Sequence, residues 1–135
     1  MKESIKSYTE LEVWKQVRTL VKDIYLAMAA FLKEEVFGLT NQMRRSAVSI
    51  SSNIAEGCGR NFPKDNIQFF LIARGSLYEL ETQLLLSSDF GFINEDDVEN
   101  LLRGILNSRK LLNGFIRYYQ QLKNKAETLL VTHNT

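Results

Sequence analysis

Apolar residues recur at alternating steps of three and four in four separate stretches of the chain, and this pattern decides most of what it can fold into. Such steps keep side chains on one face of an α-helix. The first stripe runs Trp14, Val17, Val21, Ile24, Met28 and Phe31, and the second Met43, Ala47, Ile50 and Ile54. The third is Phe70, Ala73, Leu77, Leu80 and Leu84. The fourth is Val98, Leu101, Ile105, Leu112, Phe115 or Ile116, Tyr119 and Leu122. No stretch reads as a strand, and there is no repeat or low-complexity segment. One proline and seven glycines in 135 residues leave little punctuation, so the elements should be long. Four amphipathic helices with short connections favour an all-α, antiparallel up-down-up-down four-helix bundle.

Local signals place the ends. Thr9 and Glu12 have capping-box spacing, so the first helix is expected from Thr9 to between Lys33 and Glu35. The second should run from Thr40 to Cys58, with Gly57 or Gly59 as a left-handed terminating residue. Pro63 suits the first turn of the third helix, which should stop around "SSDFGF" with Gly91 in the loop. Asn94 is a good cap for the fourth, and Glu95, Asp96 and Asp97 suit the positive end of its dipole. The expected organisation is an N-terminal extension (1–8), one bundle domain (9–123) and a flexible C-terminal tail (124–135). A chain of this length can bury its own core without metals or disulfides.

Several functions are disfavoured by what the chain lacks. Cys58 is the sole cysteine, so no intramolecular disulfide forms and a reducing, cytoplasmic setting is expected. No apolar run approaches the roughly 18 residues that cross a bilayer, and the start lacks the apolar core of a signal peptide. His133 is the sole histidine and falls in the expected tail. The Glu-x-x-His pairs of di-iron bundles are therefore missing, as is any histidine acid or base. Cys58 has no histidine to activate it and reads as a small packing residue. Neither "GCGR" nor "GLTNQ" matches a phosphate loop. The expectation is no catalytic residue, no metal, no cofactor and no enzymatic activity.

The net charge is +1, so any nucleic-acid signal must lie in how charge is distributed. From Glu79 to Glu99 there are seven acidic residues and no basic one. From Arg103 to Lys125 there are six basic residues and no acidic one. Arg103, Lys110 and Arg117 stand seven apart, on one helix face, where they can track phosphates. Basic residues late in a helix also complement its dipole, so the same stripe serves a plain solvated face. Tyr118 could add stacking to such a surface.

The stretch "NQMRRSAVSISSNIAEGCGR" (41–60) places Arg45, Ser49, Ser52, Glu56 and Arg60 on a polar stripe opposite Ala47, Ile50 and Ile54. Arg44, Arg45, Arg60 and Lys64 form a candidate RNA- or partner-facing patch, or else a surface in which Arg45 or Arg60 pairs with Glu56. Ser46, Ala47, Ser49 and Ala55 permit close approach of another helix, either the third or one from another subunit. On the third helix Arg74, Tyr78 and Glu81 share a face, and Gly75 with Ser76 offers a second small spot. A buried polar network of Asn53, Glu56, Arg74 and Glu79 is expected.

"LEVWKQVRTLVKDIY", "LTNQMRRSAVSISSNIAEGCGR" and "FFLIARGSLYELETQLLL" together resemble the four-helix-bundle proteins encoded by intervening sequences in 23S ribosomal RNA genes. The resemblance spans about residues 9 to 122 and is most specific in the Arg-Arg…Ser-Ile…Asn-Ile-Ala-Glu-Gly…Arg pattern. That family is in turn similar to the accessory variability proteins that assist reverse transcriptases in diversity-generating retroelements. The resemblance implies a ring-like homopentamer and nucleic-acid contact, with no catalytic residues. Its motif positions fall on Leu11, Trp14, Arg44, Arg45, Ile50, Asn53, Ile54, Ala55, Glu56, Gly57, Arg60, Ala73, Gly75, Ser76, Glu79 and Leu80. The expected partners are RNA or a ribonucleoprotein, further copies of the chain, or another protein docked as on a scaffold.

Overall fold

The four apolar stripes fold as their spacing requires. In the computed structural model, which describes residues 7–29 and 38–134, a single 3-10 turn (Tyr8–Glu10) precedes helices α1 (Glu12–Met28), α2 (Leu39–Cys58), α3 (Pro63–Asp89) and α4 (Glu95–Asn134). No strand occurs among the described residues. At about 1.5 Å per residue, α3 is roughly 40 Å long and α4 roughly 60 Å.

Each helix packs on two neighbours: α1 and α3 both lie against α2 and α4. Paired residues step in opposite directions along every adjacent pair. Ser87 reaches Met43 and Ser76 reaches Ser49 across α2 and α3, while Glu81 meets Arg109 and Arg74 meets Asn113 across α3 and α4. Tyr25 lies beside Arg44 across α1 and α2, and Leu20 beside Gly104 across α1 and α4, whereas Glu12 at the start of α1 shares a cavity with Ala55 and Cys58 late in α2 and with Phe115 further along α4. Neighbouring helices are therefore antiparallel.

The core contains the complete expected stripes of α2 and α3: Met43, Ala47, Ile50, Ile54, Phe70, Ala73, Leu77, Leu80 and Leu84 are fully buried. On α4, Val98, Leu101, Ile105, Leu112 and Ile116 are buried, Phe115 and Tyr119 pack on the core margin, and Leu122 is exposed. The stripe of α1 is rotated from the expected one. Val13, Val17, Leu20, Ile24 and Met28 are buried, with Trp14 and Val21 at the edge. Both sets share three residues and helical spacing, so periodicity alone does not choose between them. Tyr8 takes up Trp14 instead, edge-on at 5.2 Å. Phe31 and the expected first-helix end at Lys33–Glu35 lie outside the described residues.

The helix ends carry further corrections. The Thr9–Glu12 capping box does not form. Ser7 caps the 3-10 turn by accepting from the Thr9 amide, and α1 begins at Glu12 without a side-chain cap. Gly59 is not left-handed (φ −82°), and α2 ends in a right-handed turn. Gly91, at φ +74°, is the left-handed residue, and it ends α3. Phe92 N–H donates to Ser87 C=O and Gly91 N–H to Ser88 C=O, which satisfies the last carbonyls. Pro63 opens α3, and Asn94 Oδ1 accepts from the Asp97 amide at 2.8 Å at the start of α4. The segment expected as a flexible tail is helical to Asn134, and its side chains from Asn124 to Val131 are exposed.

Candidate nucleic-acid interface

The seven candidate cations do not converge on one patch. Arg44 and Arg45 lie at the start of α2, at the end of the bundle where α1 and α3 finish. Arg60 and Lys64 lie at the opposite end, at the α2–α3 junction. Arg103, Lys110 and Arg117 run along the outside of α4, all exposed.

Their engagement differs. The Arg44 guanidinium sits 5.1 Å from the centre of the Tyr25 ring, and its Nε is buried with no hydrogen-bond partner among the described residues. Arg60 lies 3.8 Å from the Glu56 carboxylate and 4.7 Å above the Phe69 ring. Both partners of that ion pair are about half exposed, so it adds little to stability. Arg103 donates to Asn100 Oδ1 at 3.2 Å and makes no ion pair among the described residues. Arg45, Lys64, Lys110 and Arg117 are exposed and make no ion pair among the described residues. Arg109, a neighbouring basic side chain of α4 outside the candidate set, is committed to the fold. It meets Glu81 at 3.1 Å and stacks 4.5 Å from the Tyr78 ring.

The assembly-motif residues separate into distinct clusters, and the single network expected of them does not form. Asn53 donates to Ser49 C=O and Ser49 Oγ, and Ser49 Oγ meets Ser76 Oγ at 2.9 Å across α2 and α3. Arg74 instead donates to Asn113 Oδ1 on α4 at 3.1 Å. Glu56 faces Arg60, and Glu79 is exposed. Side chains of Arg74 and Glu81 reach α4 rather than α2, a choice that their shared face on α3 does not encode.

Gly57 and Gly75 have opposite surroundings. Gly57 is buried beneath Phe69 and Phe70, whereas a Cβ on Gly75 would meet nothing within 4 Å. Asn66, a buried residue missing from the sequence candidates, donates to the carbonyls of Gly57 and Arg60 and so ties the end of α2 to α3. Asparagine in a first helical turn is too common to identify that role beforehand.

No cluster of three or more metal-ligating side chains occurs among the described residues, and no helix among them is long and apolar enough to cross a membrane. Burial raises the pKa of the Cys58 thiol above its ordinary value. The Tyr119 phenol is raised first by burial, then by the neighbouring Cys58 and Tyr118. Both groups are accordingly uncharged at neutral pH, and Cys58 lacks the thiolate character of a nucleophile.

These features define an all-helical four-helix-bundle protein with small residues between α2 and α3 and exposed cations at both ends. A family model for the 23S rRNA-intervening sequence protein matches residues 9–114, and the chain belongs to that family. Its fold is similar to the crystal structure of a protein of unknown function from the S23 ribosomal protein family of Bacteroides thetaiotaomicron. That similarity has a TM-score of 0.70 at 24% identity and covers 77% of this chain and 97% of that one. No curated protein matches the chain.

Proposed function

We propose that this protein is a non-enzymatic, cytoplasmic, homo-oligomeric bundle that binds structured RNA or a ribonucleoprotein. The observation that carries this reading is the set of exposed cations without ion-pair partners among the described residues, Arg45, Lys64, Lys110 and Arg117, with Arg103 continuing the stripe on α4. Successive members of that stripe are about 10.5 Å apart along the helix. Binding releases counterions from phosphates in proportion to the cations engaged. Membership of a family named for sequences that interrupt 23S rRNA agrees with an RNA ligand.

Self-association supplies what one near-neutral protomer lacks, because a homopentamer repeats every basic residue around a ring. Leu71, Ile72, Leu85 and Leu86 of α3 are exposed, and open space surrounds Gly75 on the same helix. These residues favour a subunit seam. They equally suit a protein partner, and a scaffold or adaptor, for example one accessory to a reverse transcriptase, is the second reading.

The deciding experiment measures binding to 23S rRNA fragments across a salt series, with the mass of the assembly determined in parallel. Affinity that falls steeply with salt supports the RNA reading. No binding at low salt, or binding without a salt slope, overturns it and leaves the adaptor.

A further inference from the structure

At the end of the bundle where α2 finishes, a cavity of about 720 Å³ opens between three elements. One wall is the segment from Ser7 to Glu12, the second is Ala55, Cys58 and Gly59 of α2, and the third is Phe115, Tyr118 and Tyr119 of α4. Its size falls within the range of small-ligand sites. We propose that this cavity binds an organic cation, a guanidinium or alkylammonium group, among the rings of Tyr8, Tyr118 and Tyr119 and the carboxylates of Glu10 and Glu12.

Three observations support this. The lining is rich in aromatic rings, whose faces attract cations. Tyr119 is braced in place by edge-on contacts with Phe70 at 5.1 Å, Phe115 at 5.0 Å and Tyr118 at 5.5 Å. Tyr8 is braced likewise by Trp14. Among the described residues, the charged members of the lining are both acidic and none is basic. Glu12 shares its charge with Lys15 at 3.8 Å on an exposed surface, while Glu10 makes no ion pair among the described residues.

Among the described residues, the cations nearest this wall are engaged elsewhere: Lys15 pairs with Glu12, and Arg18 lies 5.6 Å over the Trp14 ring. The Cys58 thiol and Tyr119 phenol, ordinarily 9.0 and 10.0 and raised further by burial, are protonated at neutral pH and add no charge of either sign. Arg60, just beyond Gly59, is held by Glu56 and Phe69. Among the described lining residues a phosphate would meet two carboxylates and no cation, which separates this cavity from the cations proposed to face RNA. The proposal does not depend on the RNA reading.

Trp14 is the sole tryptophan and meets the cavity residue Tyr8 edge-on, so its fluorescence reports occupancy. The full chain is titrated with N-acetyl-argininamide, tetramethylammonium, neutral N-acetyl-glutaminamide and uridine monophosphate. Saturable binding of either cation, and of neither control, is expected. Tighter binding of the arginine derivative assigns a polypeptide side chain, and tighter binding of tetramethylammonium assigns a free quaternary ammonium. Glu10→Gln and Tyr118→Ala each weaken binding by about five- to thirtyfold, and Glu10, exposed and in no ion pair among the described residues, leaves thermal unfolding unchanged when replaced. No saturable cation binding, affinity unchanged from the parent in both variants, or preference for the nucleotide overturns the proposal.

Discussion

Phe70 lies directly against Gly57: a Cβ added to Gly57 would stand 2.6 Å from Cε1 of the Phe70 ring and 3.0 Å from Cβ of Phe69. The ring has little room to retreat, because Phe115 and Tyr119 close on it at 4.9 and 5.1 Å. Gly57→Ala should therefore destabilise the protein. The overpacking cost of about 1–3 kcal/mol outweighs the roughly 0.5–1 kcal/mol that alanine gains over glycine within a helix. Denaturant unfolding reads the difference, and an unchanged or raised midpoint would refute the close-packing role.

Gly75 gives the opposite expectation. With nothing within 4 Å of an added Cβ, Gly75→Ala should stabilise the isolated protomer by about 0.5–1 kcal/mol. Loss of self-association in the same variant, read by light scattering, would locate a subunit seam at this face of α3. Retained assembly would put the seam elsewhere.

Asn66 closes the α2–α3 connection by donating to two carbonyls, those of Gly57 and Arg60. Asn66→Leu leaves both acceptors without that donor at a buried site. The expected cost is about 1–3 kcal/mol, measured as a lowered denaturation midpoint with helicity otherwise retained. Full stability in this variant would show that water serves the two carbonyls equally well.

What the sequence makes legible follows from the range of each interaction. Pro63, Asn94 and Gly91 act on their own helix ends, so their roles are readable from neighbouring residues. Met43, Ala47, Ile50 and Ile54 are readable because one helical period fixes all of them at once. The Ser49–Ser76 contact, the Arg74–Asn113 bond and the stacking of Arg44 on Tyr25 join residues far apart in the chain. Their formation depends on how each helix is rotated about its axis. The first helix illustrates this: Val13 and Leu20 rather than Trp14 and Val21 face inward, although both pairs satisfy the same period. The cavity beside Cys58 is hidden from the sequence for that reason too, since three separate elements build it.

Alkaline pH should weaken the fold. Burial raises the folded-state pKa of Cys58 above its ordinary 9.0 and that of Tyr119 above 10.0. Over those ranges the folded chain holds protons that the unfolded chain has released, so stability falls as pH rises. The contribution is fully present below about pH 9 and is lost as pH climbs through the two raised values. Unfolding midpoints measured from neutral pH upward should stay level and then decline, with Cys58→Ala delaying the onset. A midpoint that rises above pH 9 would contradict the assigned direction.

The α4 stripe supplies the sharpest test of RNA binding. Arg103, Lys110 and Arg117 are exposed, and none is tied to a carboxylate among the described residues. Replacing all three by glutamate should therefore leave the core intact and abolish RNA binding. Neutral glutamine replacements should instead lower the salt slope by about 0.7–0.9 for each phosphate that is no longer neutralised. The comparison with Arg109 controls for general charge. That residue is committed to Glu81 and Tyr78, so Arg109→Gln should lower stability with little change in the salt slope. If the triple glutamine variant binds RNA with the parental slope, the stripe is a solvated helix face and phosphate binding must fall to Arg44, Arg45, Arg60 and Lys64. If it retains RNA but no longer binds a protein partner, the adaptor reading prevails.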